Sequence, residues 1–145
     1  MKLTTSGESD VFNFSIVNCK LHRAALEAIL RHAERANPSE CCGVLVGRGD
    51  EILQALAARN VADDPNRYVL DPADHITIRR NARAAGLAVV GFYHSHPHSA
   101  ARPSATDQAE ATYPDHLYLI VGADGVRLFR LTGGNFAEAP FVTVT

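Results

Sequence analysis

Hydrophobic and polar positions alternate loosely from Phe12 to Cys19, and Val, Ile and Phe dominate there, which predicts a strand. From Leu21 to Ala36 the period changes. Apolar residues fall at Leu21, Ala25, Leu26, Ile29, Leu30 and Ala33, with Arg23, Glu27, Arg31 and Glu34 largely on the other faces, which predicts an amphipathic helix. Asn37-Pro38 ends it, because the residue before proline avoids the α region. Cys42 to Gly47 is a short apolar run fenced by glycines, a buried strand, and Gly49-Asp50 turns the chain into a hairpin partner over Glu51 to Arg59.

Further on, Asp63 to Asn66 reads as a loop, Tyr68-Val69-Leu70 as a short edge strand, and Pro72 to Ala85 as a helix closed by Gly86. Leu87 to Tyr93 is a second strongly apolar strand, running directly into His94-Ser95-His96-Pro97. A short helix is expected over Ser104 to Thr112, then strands over His116 to Val121 and Val126 to Leu131 around Ala123-Asp124-Gly125, and a last strand over Phe141 to Thr145. The order predicts one α/β (α+β) domain over residues 1–145, layered around a single sheet, with 1–10 as a disordered lead-in.

Composition narrows the function classes. The 145 residues are 46% apolar and 21% charged, ordinary for a globular chain with a full core. A net charge of −2 with no basic run argues against nucleic acid, and no apolar stretch approaches the ~20 residues that span a bilayer. Met1 to Asp10 does not read as a secretory signal. Three cysteines, two of them adjacent, build no disulfide framework, and a cytoplasmic setting is the simplest expectation.

The chemistry concentrates in two segments. His94, His96 and Asp107 supply two imidazoles and a carboxylate, a set suited to a catalytic zinc, which takes three protein ligands and keeps a fourth position for water. Residues i and i+2 of a strand share a face, about 7 Å apart, so His94 and His96 project together. Each part has a plainer account. An H-x-H pair can be two polar residues at a strand end, and Ser104 with Asp107 has the form of a helix capping box, which could also coexist with a metal site. His98 is a further candidate ligand. Glu40, in Pro38-Ser39-Glu40-Cys41-Cys42-Gly43, precedes an apolar strand, where burial would raise its pKa into the range of a general base.

Taken together, Glu40 in P-S-E-C-C-G-V-L-V-G, then His94-Ser95-His96-Pro97, Ser104 and Asp107, resemble the JAMM motif of the MPN (JAB1/Mov34) metalloproteases, whole and at its usual spacing. The resemblance extends from the first strand to about Leu131. It implies the MPN fold, a curved, mostly antiparallel sheet flanked by helices, with an architecture like that of cytidine deaminases. It implies one Zn2+ per chain on His94, His96 and Asp107, with Glu40 as the base acting on water and Ser104 stabilising the oxyanion. The implied reaction is hydrolysis after the C-terminal glycine of a ubiquitin-like or sulfur-carrier protein with a Gly-Gly tail, releasing cysteine or a lysine-linked protein. Tyr68, Val69 and Leu70 would pair with that extended tail. A homodimer is compatible with the chain. The competing readings are a catalytically silent MPN scaffold and a zinc hydrolase of small amides. A zinc deaminase would need H-x-E together with P-C-x-x-C, and no P-C-x-x-C occurs, since the adjacent Cys41-Cys42 cannot stand in for it.

Overall fold

The computed structural model describes residues 18–145. The lead-in and residues 12–17 of the expected first strand lie outside the described residues. Eleven elements follow in chain order: β1 (Cys19–His22), α1 (Arg23–Ala36), β2 (Cys42–Arg48), β3 (Glu51–Ala58), α2 (Pro72–Ala84), β4 (Ala88–Ser95), α3 (Ala105–Glu110), β5 (Leu117–Gly122), β6 (Gly125–Thr132), β7 (Asn135–Glu138) and β8 (Phe141–Val144).

One sheet holds all eight strands in the order β7-β6-β5-β4-β2-β3-β1-β8. Four of its neighbouring pairs are antiparallel, β2 with β3 and β4, and β6 with β5 and β7. The other three, β1 with β3 and β8, and β4 with β5, are parallel. β7 and β8 occupy opposite edges yet are joined through Ala139-Pro140 alone. The sheet must therefore curl until its edges approach. Arg130 of β6 reaches Asp50 across the seam at 2.7 Å, and the Cys19 amide donates to the Pro140 carbonyl at 3.1 Å.

Both faces of the central strands are covered, which is why β2 and β4 read as continuous apolar runs rather than alternating ones. Leu45 and Tyr93 pack with Ala25 and Ile29 of α1 on one face. Val44, Val46 and Phe92 pack with Ala82 of α2 on the other. The centre of the sheet tolerates no bulk at Gly91, where a Cβ would lie 2.0 Å from the Leu117 carbonyl oxygen. Because that neighbour is backbone, Gly91→Ala must separate β4 from β5. We expect its urea midpoint to report a loss of at least about 1–3 kcal/mol, the usual cost of overpacking. A wild-type midpoint would show that the two strands can part freely.

Several expectations shift in detail. The helix begins at Arg23 rather than Leu21, since Leu21 is wholly buried as a strand residue opposite Ile52 and Thr143. An apolar residue at that point suits either period, and strand pairing decides. Tyr68-Val69-Leu70 is not a strand: Asn60 and Leu70 form a single isolated bridge closing the 59–71 loop. α3 is six residues, ending at Glu110. β7, with only Phe136 half-buried, carries too weak a pattern to be expected.

Candidate metal centre and active site

β4 is held between β2 and β5, with His94 opposite Cys42 on one side and Ile120 on the other. His96 lies just past the strand end, and its amide donates to the Val121 carbonyl at 2.7 Å. Both imidazoles are buried. Asp107 comes from the first turn of α3, fixed by a reciprocal cap. The Ser104 hydroxyl oxygen accepts from the Asp107 amide at 3.0 Å, and Asp107 Oδ2 accepts from the Ser104 amide at 2.8 Å. The capping box is therefore present, and the same residues also belong to a group able to hold a cation. The cap aims the carboxylate at the histidines: Oδ2 lies 3.2 Å from His94 Nε2 and 3.1 Å from His96 Nε2, which are 3.1 Å apart.

This triangle fits a cation for a chemical reason. His96 Nδ1 lies 3.0 Å from the Ala100 carbonyl oxygen, which can only accept, so Nδ1 carries the proton and a neutral ring turns the Nε2 lone pair toward Asp107. Burial pushes His94 toward its neutral form, whereas at His96 burial is outweighed by the hydrogen bonds to Asp107 and Ala100, which raise its pKa while no cation is bound. Two imidazoles and a carboxylate thus converge on one point that calls for positive charge, the donor set and backbone-oriented histidine of a metal centre. Among the described residues these three alone form such a group, and His98, though in the same cavity, stands outside it. The Ala100 carbonyl is itself held in place. Ala101 donates to Asp124 Oδ1 at 2.8 Å, Ala123 to the Ser99 carbonyl at 2.7 Å, and only a glycine at 122 admits the loop, since a Cβ there would lie 2.2 Å from the Ala101 nitrogen.

The metal-ligand group opens into a cavity of about 270 Å³ lined by Glu40, Tyr68, His96, Ser104 and Asp107 among others. Glu40 is half-buried, and burial, reinforced by Asp107 and Asp64 and opposed by His96, pushes its carboxyl up to about 7. A carboxyl poised near neutrality can take a proton and return it. One of the two lone pairs of Ser104 Oγ serves the cap, and its O–H, at the wall of the cavity, has no acceptor among the described residues.

Ser95 and Asn60 carry no chemistry in the sequence pattern, yet both organise the site. Ser95 Oγ accepts from the Cys41 amide at 2.9 Å and the Ser95 amide donates to the Cys41 carbonyl at 3.1 Å, tying the histidine strand to the residue after Glu40. The position of Ser95 between two histidines was its only signal. Tyr68 stacks on His94 with ring centroids 4.4 Å apart. On its other side, Tyr68, Val69 and Leu70 border a second cavity of about 450 Å³ with Phe92, Tyr113 and Tyr118. The Val69 amide and carbonyl are both engaged inward, with Asn60 Oδ1 and the Val61 amide. The Arg67 carbonyl and the Asp71 amide are bonded inward too, and since N–H and C=O point opposite ways across a trans peptide, the backbone groups of Tyr68 and Leu70 face the outer edge.

A family model described as prokaryotic homologues of the JAB domain matches residues 22–132. The chain belongs to this family. The JAB-domain protein is 41% identical to a desampylase of Haloferax volcanii over 122 residues, 79% of this chain and 88% of that one. It is 33% identical to the CysO-cysteine peptidase of Mycobacterium tuberculosis over 122 residues, 79% and 84% of the two chains. It is 35% identical to a probable TtuB-protein conjugate cleaving protease of Thermus thermophilus over 114 residues, 78% and 76%. Its fold matches that of a JAB1/MPN domain protein from Archaeoglobus fulgidus with a TM-score of 0.61 at 20% identity, over 88% of this chain and 98% of the other. The JAB-domain protein is accordingly a hydrolase of the JAMM type.

Proposed function

We propose that this JAB-domain protein is a zinc-dependent peptidase that cleaves after the C-terminal glycine of a ubiquitin-like or sulfur-carrier protein conjugate. The observation that carries the proposal is the convergence of His94 Nε2, His96 Nε2 and Asp107 Oδ2 beside a Glu40 carboxyl poised near neutrality. His94, His96 and Asp107 would hold the ion. Zinc bound there would lower the pKa of a water to about 7 and polarise the scissile carbonyl. Glu40 accepts the proton of the attacking water and returns it to the leaving amine. Ser104 donates its free O–H to the oxygen on which negative charge develops. Tyr68 holds the His94 ring by stacking and walls the cavity on that side. The outward backbone groups of Tyr68 and Leu70 offer an edge to an extended Gly-Gly tail, whose lack of side chains suits a narrow approach.

The conjugate as substrate is supported by the relatives, whose names cover both a carrier-cysteine peptidase and a conjugate-cleaving protease. A cytoplasmic setting is supported by three buried free thiols, and no described helix is long and apolar enough to cross a membrane. A catalytically silent scaffold is disfavoured by a site in which every ligand converges. The test is to incubate the zinc-loaded protein with β-grasp carriers whose Gly-Gly tail is extended by cysteine, or linked to a lysine, and to follow intact mass. Loss of everything beyond the second glycine is expected. Carriers left intact while small amides are hydrolysed would replace this reading with a small-amide hydrolase.

A further inference from the structure

Glu40 lies between the end of α1 and the start of β2, outside any helix or strand. No regular hydrogen-bond ladder therefore sets its position. Its backbone is held instead by the 59–71 loop: the Glu40 amide donates to the Pro65 carbonyl at 3.0 Å, and the Glu40 carbonyl accepts from Asn60 Nδ2 at 3.1 Å. The same amide group shapes the loop. Asn60 Nδ2 also donates to the Arg67 carbonyl at 2.9 Å, and Asn60 Oδ1 accepts from the amides of Ala62 and Val69, each at 3.0 Å. All four partners are backbone groups of fixed polarity, so the orientation of the amide follows from them. The loop then carries Tyr68 onto His94 and reaches α3, the helix of Asp107, through Arg67 and Glu110 at 3.0 Å.

We infer that Asn60 is a positioning residue, which sets Glu40 in register with the metal-ligand group through its bond to the Glu40 carbonyl. The inference rests on Glu40 being the general base. Asn60 touches neither the ligand atoms nor the reacting bond. Displacing a catalytic group by about 1 Å can cost about 10²-fold in rate, so a single backbone anchor at the base is enough to matter.

Asn60→Asp separates the two functions of the side chain. An aspartate can still accept from Ala62 and Val69, but it opposes the carbonyls of Glu40 and Arg67 with its own oxygens. Asn60→Ala removes all four bonds, and the milder Asn60→Asp decides the matter if the alanine variant does not fold. Both are compared with Glu40→Gln on the conjugate that the wild-type protein turns over, with metal content measured on each sample. For Asn60→Asp the expectation is a kcat per bound metal lower by about 10- to 100-fold, KM within about twofold of wild type, and unchanged metal content. Destabilisation alone would lower the active fraction and leave kcat per bound metal intact. That result, or an effect confined to KM, overturns the positioning role. Full turnover in Glu40→Gln would instead remove Glu40 as the base, a separate failure visible in the same experiment.

Discussion

Replacing Glu40 with glutamine is expected to lower kcat for a carrier conjugate by about 10²–10⁴-fold while the bound metal stays. Glutamine keeps the size and polarity of the side chain and removes only the ability to accept a proton. The three candidate ligands, His94, His96 and Asp107, are left in place. The same substitution has a second consequence, independent of activity. In the metal-free fold the Glu40 carboxyl is raised from 4.5 to about 7, chiefly by burial. A carboxyl whose pKa is higher folded than unfolded favours the fold while it is protonated. That contribution is complete below about pH 4.5, is lost progressively as pH rises to about 7, and is absent above. Glu40→Gln removes the penalty of burying the charge. Its urea midpoint in chelator should exceed that of the wild type at pH 8, by ~1 kcal/mol once solvent screening of a half-exposed group is allowed for, and the two should converge near pH 4. Equal midpoints at pH 8 would mean that the carboxylate is not desolvated, and the poised base would lose its physical basis.

The second large effect is loss of metal from Asp107→Asn and His94→Ala. Asn at 107 retains an oxygen for the Ser104 amide, so α3 keeps its cap, but the negative charge facing the two imidazoles is gone. His94→Ala deletes a fully buried candidate ligand and the ring on which Tyr68 stacks. Outer partners of metal ligands alone typically account for 10–100-fold in affinity, so removal of a ligand should weaken binding by at least about 10²-fold. Elemental analysis of the purified variants should find them depleted. A thermal readout gives the same answer by linkage: zinc at 100–1,000 times its Kd stabilises a protein that binds it only when folded by about 2.7–4.1 kcal/mol. The wild-type protein should show that rise in melting temperature and both variants should lack it. Undiminished zinc stoichiometry in both would withdraw the ligand assignment.

How far the site was legible from the chain follows the range of the interactions involved. His94 and His96 are two residues apart at a strand end, and strand geometry alone puts them on one face. Asp107 is aimed by a cap that spans four residues, Ser104 to Asp107, and such local chemistry is written in the sequence. The apolar runs of β2 and β4 announced central strands because both of their faces are covered. The boundary at Leu21 was ambiguous, since the pairing with Ile52 and Thr143 that settles it comes from distant parts of the chain. The reading of Tyr68 to Leu70 as a strand failed for a related reason. Apolar and aromatic character there reflects stacking on His94 and the lining of a cavity, and a strand needs a partner of matching length.

Local pattern thus determined the candidate site residues: the donor types, their spacing, the cap and the carboxyl beside an apolar strand. Tertiary structure decided how they act. It brought Glu40 to a cavity it shares with His96 and Asp107 and desolvated it, it fixed the His96 tautomer through Ala100, and it tied Glu40 to the 59–71 loop through Asn60. Each of those effects depends on burial or on a hydrogen bond between groups that the sequence does not pair, so only the folded chain could supply them.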